Sequence, residues 1–324
     1  KHVYKVPDTY IGSVDEIEEN QWVLNKSDTK MEFKLIKYVP GLYNIFNEIR
    51  TNARDQYVIL KQNNDKNRVT EIRMNIDKEN GIISIQNNGK GIPVIEHLEH
   101  KMYIPTLIFG NLLTSTNYDQ TNKTTGGKNG YGAKLTNIFS DEFTVETADP
   151  INKKMFKQTW QKNMSICNEP VITKITPGKA IDFGTKITFK PDYKRFGMDC
   201  LTDDTYELFK KSAYDLSACT DSTVNVYFND EPIITKTFEN YTNLYLGEST
   251  QRVFYNDPNG RWQICAAFNI DDEFNQISFA NGINTSQGGR HVNHILKQIV
   301  TNIKEQITKK VKNAVNIKSS YIKE

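Results

Sequence analysis

Between Gly126 and Gly132, four of seven residues are glycine, and Gly132-Ala-Lys-Leu-Thr-Asn-Ile-Phe139 then reads as the first turns of a helix. Successive backbone N–H groups in such a loop converge on an anion, with a helix N-terminus behind them and Lys134 as a point charge. The loop is not of the Gly-Lys-Ser/Thr kind, because Lys134 is followed by Leu135, and the third glycine of G-x-G-x-x-G is missing. Asp182-Phe-Gly184 occurs, but no His-Arg-Asp sequence accompanies it anywhere in the chain, so the two are not paired as in a protein kinase. Whatever fold this chain adopts must therefore present a glycine loop and helix to a phosphate by another route.

Two further stretches extend that requirement. Leu42, Ile45, Phe46, Ile49 and Ala53 recur at helical spacing and predict a helix over about 42–58. Glu48, Asn52 and Asp55 are four and then three residues apart, so they share one face beside that stripe. Ile72, Met74 and Ile76 alternate with polar residues, as do Ile83 and Ile85 after the Asn80-Gly81 turn pair, which predicts a hairpin. Its second strand runs into Asn87-Asn-Gly89-Lys-Gly91-Ile-Pro93, where two glycines permit close backbone approach and Pro93 stiffens the exit. Alone, each stretch has a plain alternative: a solvated helix face, or a loop between strand and helix. Together they leave a nucleotide site whose Mg²⁺ is held by an asparagine on a helix, with a carboxylate one turn away.

The rest of the chain bounds the setting. At 324 residues it is long enough for two domains. A hydrophobic fraction of 37% beside 25% charged residues is that of a soluble globular protein, and no apolar run approaches the roughly 20 residues that span a bilayer. The four cysteines lack C-x-x-C spacing and are expected to be reduced core residues. His97 and His100 have ligand-like spacing, but with no cysteine or second histidine pair nearby they are expected to be ordinary surface residues. Residues 109–132 are rich in Gly, Asn, Thr and Ser, as expected of a lid over about 111–128. Strands are expected at 142–147, 155–160, 185–190 and 223–228, a second alternating block at 261–269 and 275–284, and a long helix along Val292, Ile295, Leu296, Ile299, Val300, Ile303 and Ile307. From Lys297 to Glu324 seven lysines stand against two glutamates, which concentrates basic character at that end. Both ends of the chain read as those of a piece cut from something longer.

The three motifs together, Glu48-x-x-x-Asn52, Asn87-x-Gly89-x-Gly91 and Gly127-x-x-Gly130-x-Gly132, resemble the Bergerat-fold (GHKL) ATPases, among them Hsp90, MutL, histidine kinases and type II DNA topoisomerases. The resemblance to the eukaryotic type II topoisomerase family is closer and runs collinearly along nearly the whole chain. It is carried by Pro7-Asp-Thr-Tyr-Ile-Gly-Ser13, Ile108-Phe-Gly-Asn-Leu-Leu-Thr-Ser-Thr-Asn-Tyr118, Gly127-Lys-Asn-Gly-Tyr-Gly-Ala-Lys134, Asn137-Ile-Phe-Ser140, Thr188-Phe-Lys-Pro-Asp192, Gln276-Ile-Ser-Phe279 and Gly288-Gly-Arg-His-Val292.

That resemblance implies an α+β chain: a Bergerat-fold α/β sandwich over 1–237, then a transducer domain like the second domain of ribosomal protein S5 over 238–324. It implies ATP and Mg²⁺ as cofactors, Glu48 as general base and Asn52 as the metal ligand. Further nucleotide-binding positions are Asn52, Asp55, Asn87, Ser115, Thr116, Asn117, Lys128, Asn129, Gly130, Tyr131, Gly132, Lys134 and Thr185. Lys128 stands where an arginine is usual, which keeps the charge and loses the planar fork. It also implies a nuclear enzyme that closes as a homodimer through its ATP gate and takes double-stranded DNA without sequence preference, by way of Lys309, Lys310 and Lys312. The family's N-terminal arm would precede Lys1, and its Gln-Thr-Lys loop would follow Glu324. The alternative is an ATP-driven protein clamp of the Hsp90 or MutL kind. The 276–292 block with its basic helix is the feature that separates the two, since it resembles only the topoisomerases.

Overall fold

The computed structural model describes residues 2–111, 124–127, 130–176, 178, 181–269, 273–310 and 318–323. It divides into two compact units, Lys1–Tyr245 and Leu246–Glu324.

The first unit opens with a short helix α1 (His2–Lys5) and a hairpin of β1 (Ile17–Leu24) and β2 (Met31–Tyr38). Helix α2 (Pro40–Gln62) follows at once, with Pro40 in its first turn, where the missing N–H leaves no bond unmade. The predicted hairpin forms as β3 (Glu71–Asp77) and β4 (Ile82–Asn87), pairing Asp77 with Ile82, and Gly81 takes the positive φ that its turn requires. Two short helices, α3 (Ile104–Gly110) and α4 (Gly132–Ile138), flank the stretch that is richest in Gly, Asn, Thr and Ser. After them come β5 (Ser140–Asp149), β6 (Lys154–Gln161), β7 (Ile166–Cys167), β8 (Val171–Lys174), β9 (Thr185–Pro191), helix α5 (Asp203–Ala218), β10 (Asn225–Phe228), β11 (Glu231–Pro232) and helix α6 (Phe238–Leu246).

Nine of these strands form one sheet in the order β11-β10-β3-β4-β9-β5-β6-β7, with β8 also on β6. Every pairing is antiparallel except β10 with β3. One face of the sheet carries Ile72, Met74, Ile76, Ile83, Ile85, Phe143, Val145, Ile187 and Phe189, all buried. Helices α2, α4 and α5 supply the other layer, and Phe46 of α2 stacks on Phe209 of α5 with ring centroids 4.0 Å apart. Each such ring taken from water stabilises the unit by about 1.5–3 kcal/mol. This helical layer on a mostly antiparallel sheet is the sandwich that the sequence implies.

Helix α6 lies beyond residue 237, yet it is tied to α5 of the first unit. Asp215 accepts the Tyr241 hydroxyl at 2.7 Å and pairs with the Lys211 ammonium at 2.7 Å, and Tyr241 and Tyr245 share a hydrogen bond of 2.8 Å. Burial disfavours the charge on Lys211, but the Asp215 carboxylate outweighs it and holds the ammonium above the ordinary lysine range.

The second unit contains a hairpin of β12 (Arg252–Asn256) and β13 (Gln263–Ala267), a short pair β14 (Phe279–Ala280) and β15 (Ile283–Asn284), helix α7 (Arg290–Lys310) and helix α8 (Ser320–Lys323). The alternating block expected at 275–284 is thus two residues of strand on either side of a turn. Around that turn the 276–292 block ties itself together. Gln276 donates to the carbonyls of Thr285 and Ser286 at 3.2 and 2.7 Å, and the Ser278 and Thr285 hydroxyls share a hydrogen bond of 2.6 Å with the His291 ring 3.1 Å from Thr285.

Candidate nucleotide site

Helix α2 organises the site because it reaches both glycine loops. Arg54 donates to the Thr124 carbonyl at 3.0 Å, and Asp55 accepts the backbone N–H groups of Gly126 and Gly127, both at 2.9 Å. On the other side, Gln56 donates to the Lys90 carbonyl at 2.9 Å. A single helical turn therefore fixes the entry to the Gly126–Gly132 loop and the middle of the Asn87–Pro93 loop.

The three residues aligned by spacing end up in different settings. Asp55 is buried and Glu48 half-buried, whereas Asn52 is exposed. Burial, then the nearby Asp55 charge, raises the Glu48 pKa above the usual glutamate value. Burial also raises Asp55, with the Gly126 and Gly127 N–H groups pulling in the opposite direction. The Glu48 carboxylate lies directly against Gly132, in space that any side chain at 132 would occupy. A Cβ built on Gly127 would stand 3.4 Å from the Asp55 carboxylate and 4.0 Å from the Asn52 carboxamide oxygen. Glu48 thus faces the end of the glycine loop at the head of α4, and Asn52 and Asp55 face its start.

Beyond this loop, Lys134 is almost fully buried in α4, and burial pushes its ammonium pKa down. A phosphate nearby would restore the charge it disfavours. Gly130 takes φ +67° ahead of the half-buried Tyr131, and α4 begins at Gly132.

The second wall is built from backbone. Gly184 donates to the Asn87 carbonyl at 2.7 Å, and its own carbonyl accepts the Ala148 N–H at 2.9 Å and the Thr147 hydroxyl at 2.8 Å. The Thr147 hydroxyl also takes the Ile92 N–H at 2.9 Å and lies 3.2 Å from the Thr185 hydroxyl. A Cβ on Gly91 would stand 2.7 Å from the Gly184 carbonyl oxygen, so the three strand ends meet backbone to backbone. Asn87 pairs with Thr185 across β4 and β9. Its side chain is buried, and its Oδ1 has no hydrogen-bond partner among the described residues. A buried acceptor left unmade costs about 1–3 kcal/mol, and a ligand amino group placed there would satisfy it.

Of the positions the resemblance implies, Glu48, Asn52, Asp55, Gly130, Tyr131, Gly132 and Lys134 gather around the glycine loop, and Asn87 and Thr185 form the second wall. Ser115, Thr116, Asn117, Lys128, Asn129 and most of the expected lid lie outside the described residues, as does Lys312. Sequence spacing does not reveal Arg54, Gln56, Thr147 and Gly184, because their partners lie tens of residues away and carry no periodic signal.

Known proteins resemble this chain over both units. The family "Histidine kinase-, DNA gyrase B-, and HSP90-like ATPase" matches residues 38–195, and "DNA gyrase B" matches residues 222–324. The crystal structure of the ATPase region of Saccharomyces cerevisiae topoisomerase II superposes with a TM-score of 0.89 at 43% identity, covering 99% of this chain and 81% of that one. The chain belongs to the ATPase region of the type II DNA topoisomerases. The ATPase and transducer domains of Balamuthia mandrillaris topoisomerase II give a TM-score of 0.90 at 40% identity, covering 99% of this chain and 80% of that one. Human DNA topoisomerase 2-alpha is 44% identical over 330 residues, taking in the whole of this chain and 21% of that protein. The chain thus spans about a fifth of the length of such curated topoisomerases. The Thermus thermophilus gyrase B ATPase domain, at 19% identity and a TM-score of 0.61, shares the fold. Membership in the topoisomerase ATPase region accounts for both units: a GHKL sandwich first and a gyrase-B-type transducer after it.

Proposed function

We propose that this chain binds and hydrolyses Mg²⁺·ATP in the cleft between the Asn87–Pro93 loop and the glycine loop, and that this drives gate closure in a type II topoisomerase. The single observation that carries the reading is the orphaned Asn87 carboxamide in one wall, with the Glu48 carboxylate set against Gly132 in the other. The purine amino group satisfies Asn87, with the Thr185 hydroxyl lining the same wall. The triphosphate runs toward the N–H groups of Gly130, Tyr131 and Gly132, and Lys134 supplies positive charge behind them. Segments 115–117 and 128–129 complete the contacts to ribose and phosphate.

Glu48 is the general base. It takes a proton from the attacking water, the water oxygen bonds to the γ-phosphorus, and the bond to the β-phosphate oxygen breaks to leave ADP and inorganic phosphate. The raised pKa suits this task, because a carboxylate that holds its proton more tightly is the stronger base. The residues fit a magnesium ion: the exposed Asn52 oxygen stands beside Gly127, and Glu48 and Asp55 make the surroundings negative. Asn52 would hold such an ion, which would supply positive charge to offset that of the phosphates. Asn52→Ala is expected to weaken binding of Mg²⁺·ATP at least tenfold while leaving the melting temperature within a degree or two, measured by calorimetric titration. An affinity equal to that of the parent would remove Asn52 from the metal site.

In the whole protein, ATP binding closes a homodimer around a DNA duplex and carries it through a second one, in the nucleus. The DNA contacts we assign are Lys309 and Lys310, in the last turn of α7, together with Lys312. Such contacts fall on phosphates, are independent of sequence and weaken with salt. Replacing all three by alanine in the full-length enzyme is expected to reduce DNA-stimulated ATP hydrolysis and spare the basal rate. The salt dependence of stimulation should flatten by at most about three phosphate contacts. Undiminished stimulation would leave these lysines as solvated charge at a helix end.

A further inference from the structure

His97, Glu99 and His100 lie between the nucleotide loop and α3 and have no role in the chemistry above. We infer that they form a surface site for a divalent transition-metal ion, for which zinc is the natural probe. The spacing of the two histidines supplies a pair of donors, and the structure supplies the third. One ligand atom from each of His97, Glu99 and His100 falls within 4.8 Å of the others. The two imidazole rings face each other with centroids 4.8 Å apart and planes inclined by 42°.

The backbone holds this arrangement without a metal. The His97 N–H donates to the Met102 carbonyl at 2.8 Å, Lys101 N–H returns to the His97 carbonyl at 2.9 Å, and Glu96 pairs with Tyr103 across the base of the turn. Lys101 takes φ +52°, which closes the turn within one residue. At the two ends, Val94 donates to the buried Asp149 carboxylate at 2.7 Å, and the Asn111 amide reaches the Met102 sulfur at 2.9 Å. The ordering that a metal loop ordinarily requires has thus been met by folding, so little conformational entropy remains to oppose binding.

Chemistry selects the ion. Two imidazoles and one carboxylate are the donor set of an open zinc site, with the remaining position left to water. Bond lengths of about 2.0–2.2 Å place tetrahedral donors about 3.4 Å apart, so side-chain rotation of about an ångström closes the set from its present spread. Among the described residues the His97 Nδ1 accepts two long contacts, from the Glu99 and His100 N–H groups at 3.3 and 3.4 Å, and both are weak enough to yield to an ion. With no thiolate in the set, soft cations are not favoured. Magnesium prefers an octahedron of oxygens, so the ion of the nucleotide cleft would not compete here.

The test is equilibrium dialysis of the chain, prepared without a polyhistidine tag, against zinc chloride. The parent is compared with H97A, H100A and E99Q. One zinc per chain should bind, with the dissociation constant raised more than tenfold in H97A and in H100A and raised less in E99Q. Cobalt substitution should give the visible bands of a four-coordinate nitrogen–oxygen site, absent from H97A/H100A. Because Glu99 and His100 are exposed, E99Q and H100A should melt with the parent, so lost binding cannot be ascribed to unfolding. Zinc affinity equal to the parent's in either histidine variant, or in the double variant, would overturn the assignment.

Discussion

Glu48→Gln should abolish ATP hydrolysis and leave nucleotide affinity within a few-fold of the parent. The amide has the shape of the carboxylate and fits the same space against Gly132, so the loop has no cause to move. What is lost is the ability to accept a proton. A positioned general base contributes about 10²–10⁴ in rate, or about 3–5 kcal/mol of barrier. Steady-state phosphate release measures the first effect, and calorimetric titration with a non-hydrolysable analogue the second. The pH dependence has a definite sign. Because burial and the Asp55 charge raise the Glu48 pKa, parent activity should fall on acidification at a pH above the value of about 4.3 for a free glutamate. The limb should disappear from what little activity the variant retains. Hydrolysis by Glu48→Gln at more than about a tenth of the parent rate would take Glu48 out of the proton transfer.

The second large effect is expected from a contact between backbones. Gly184→Ala should destroy nucleotide binding and lower the melting temperature. The added Cβ falls on the Gly89 carbonyl, with the Gly89 carbonyl carbon at 2.7 Å and the Gly91 nitrogen at 3.3 Å, so it meets backbone that cannot rotate away. Relief requires Gly184 to withdraw from Asn87, which breaks the 2.7 Å hydrogen bond joining them and displaces Thr185 from the wall. Overpacking of this kind costs about 1–3 kcal/mol and more where neither side yields. For a unit of this size, each kcal/mol lowers the melting temperature by about 2–4 °C. Differential scanning calorimetry should therefore show a drop of roughly 2–12 °C, with ATP no longer stabilising the protein. A variant that melts with the parent and binds ATP normally would mean that the backbone contact is not what shapes the wall.

Much of the candidate site is legible in the sequence. The apolar stripe on α2 fixed which face would be free, and the offsets among Glu48, Asn52 and Asp55 placed them there. The Asn80-Gly81 pair located the hairpin that ends at Asn87. Local periodicity could not say what the free face looks at. Asp55 reaches the N–H groups of Gly126 and Gly127 across more than seventy residues, and Gly184 meets Asn87 across almost a hundred. Hairpin β1–β2 and helix α5 leave no clear pattern in the sequence, for a different reason. Phe33 and Leu35 are exposed on β2, which blurs the alternation that marks a half-buried strand, and α5 buries Lys211, Asp215, Ser212 and Ser217, residues that suggest a solvated surface. Their burial depends on partners such as Tyr241, which only the fold brings together. Spacing alone does not single out Glu99, because a carboxylate beside two histidines becomes a third donor only when the turn at Lys101 folds it back.

The central claim is that these loops make one Mg²⁺·ATP site arranged along α2. It is tested most directly by a crystal structure of the chain with Mg²⁺ and a non-hydrolysable ATP analogue. The predicted result has the adenine amino group on the Asn87 carboxamide beside Thr185, the ion on Asn52, and the γ-phosphate at the head of α4 with a water between it and Glu48. A nucleotide bound elsewhere, or bound here with Asn87 still unpaired and Glu48 facing away from the γ-phosphate, would contradict it.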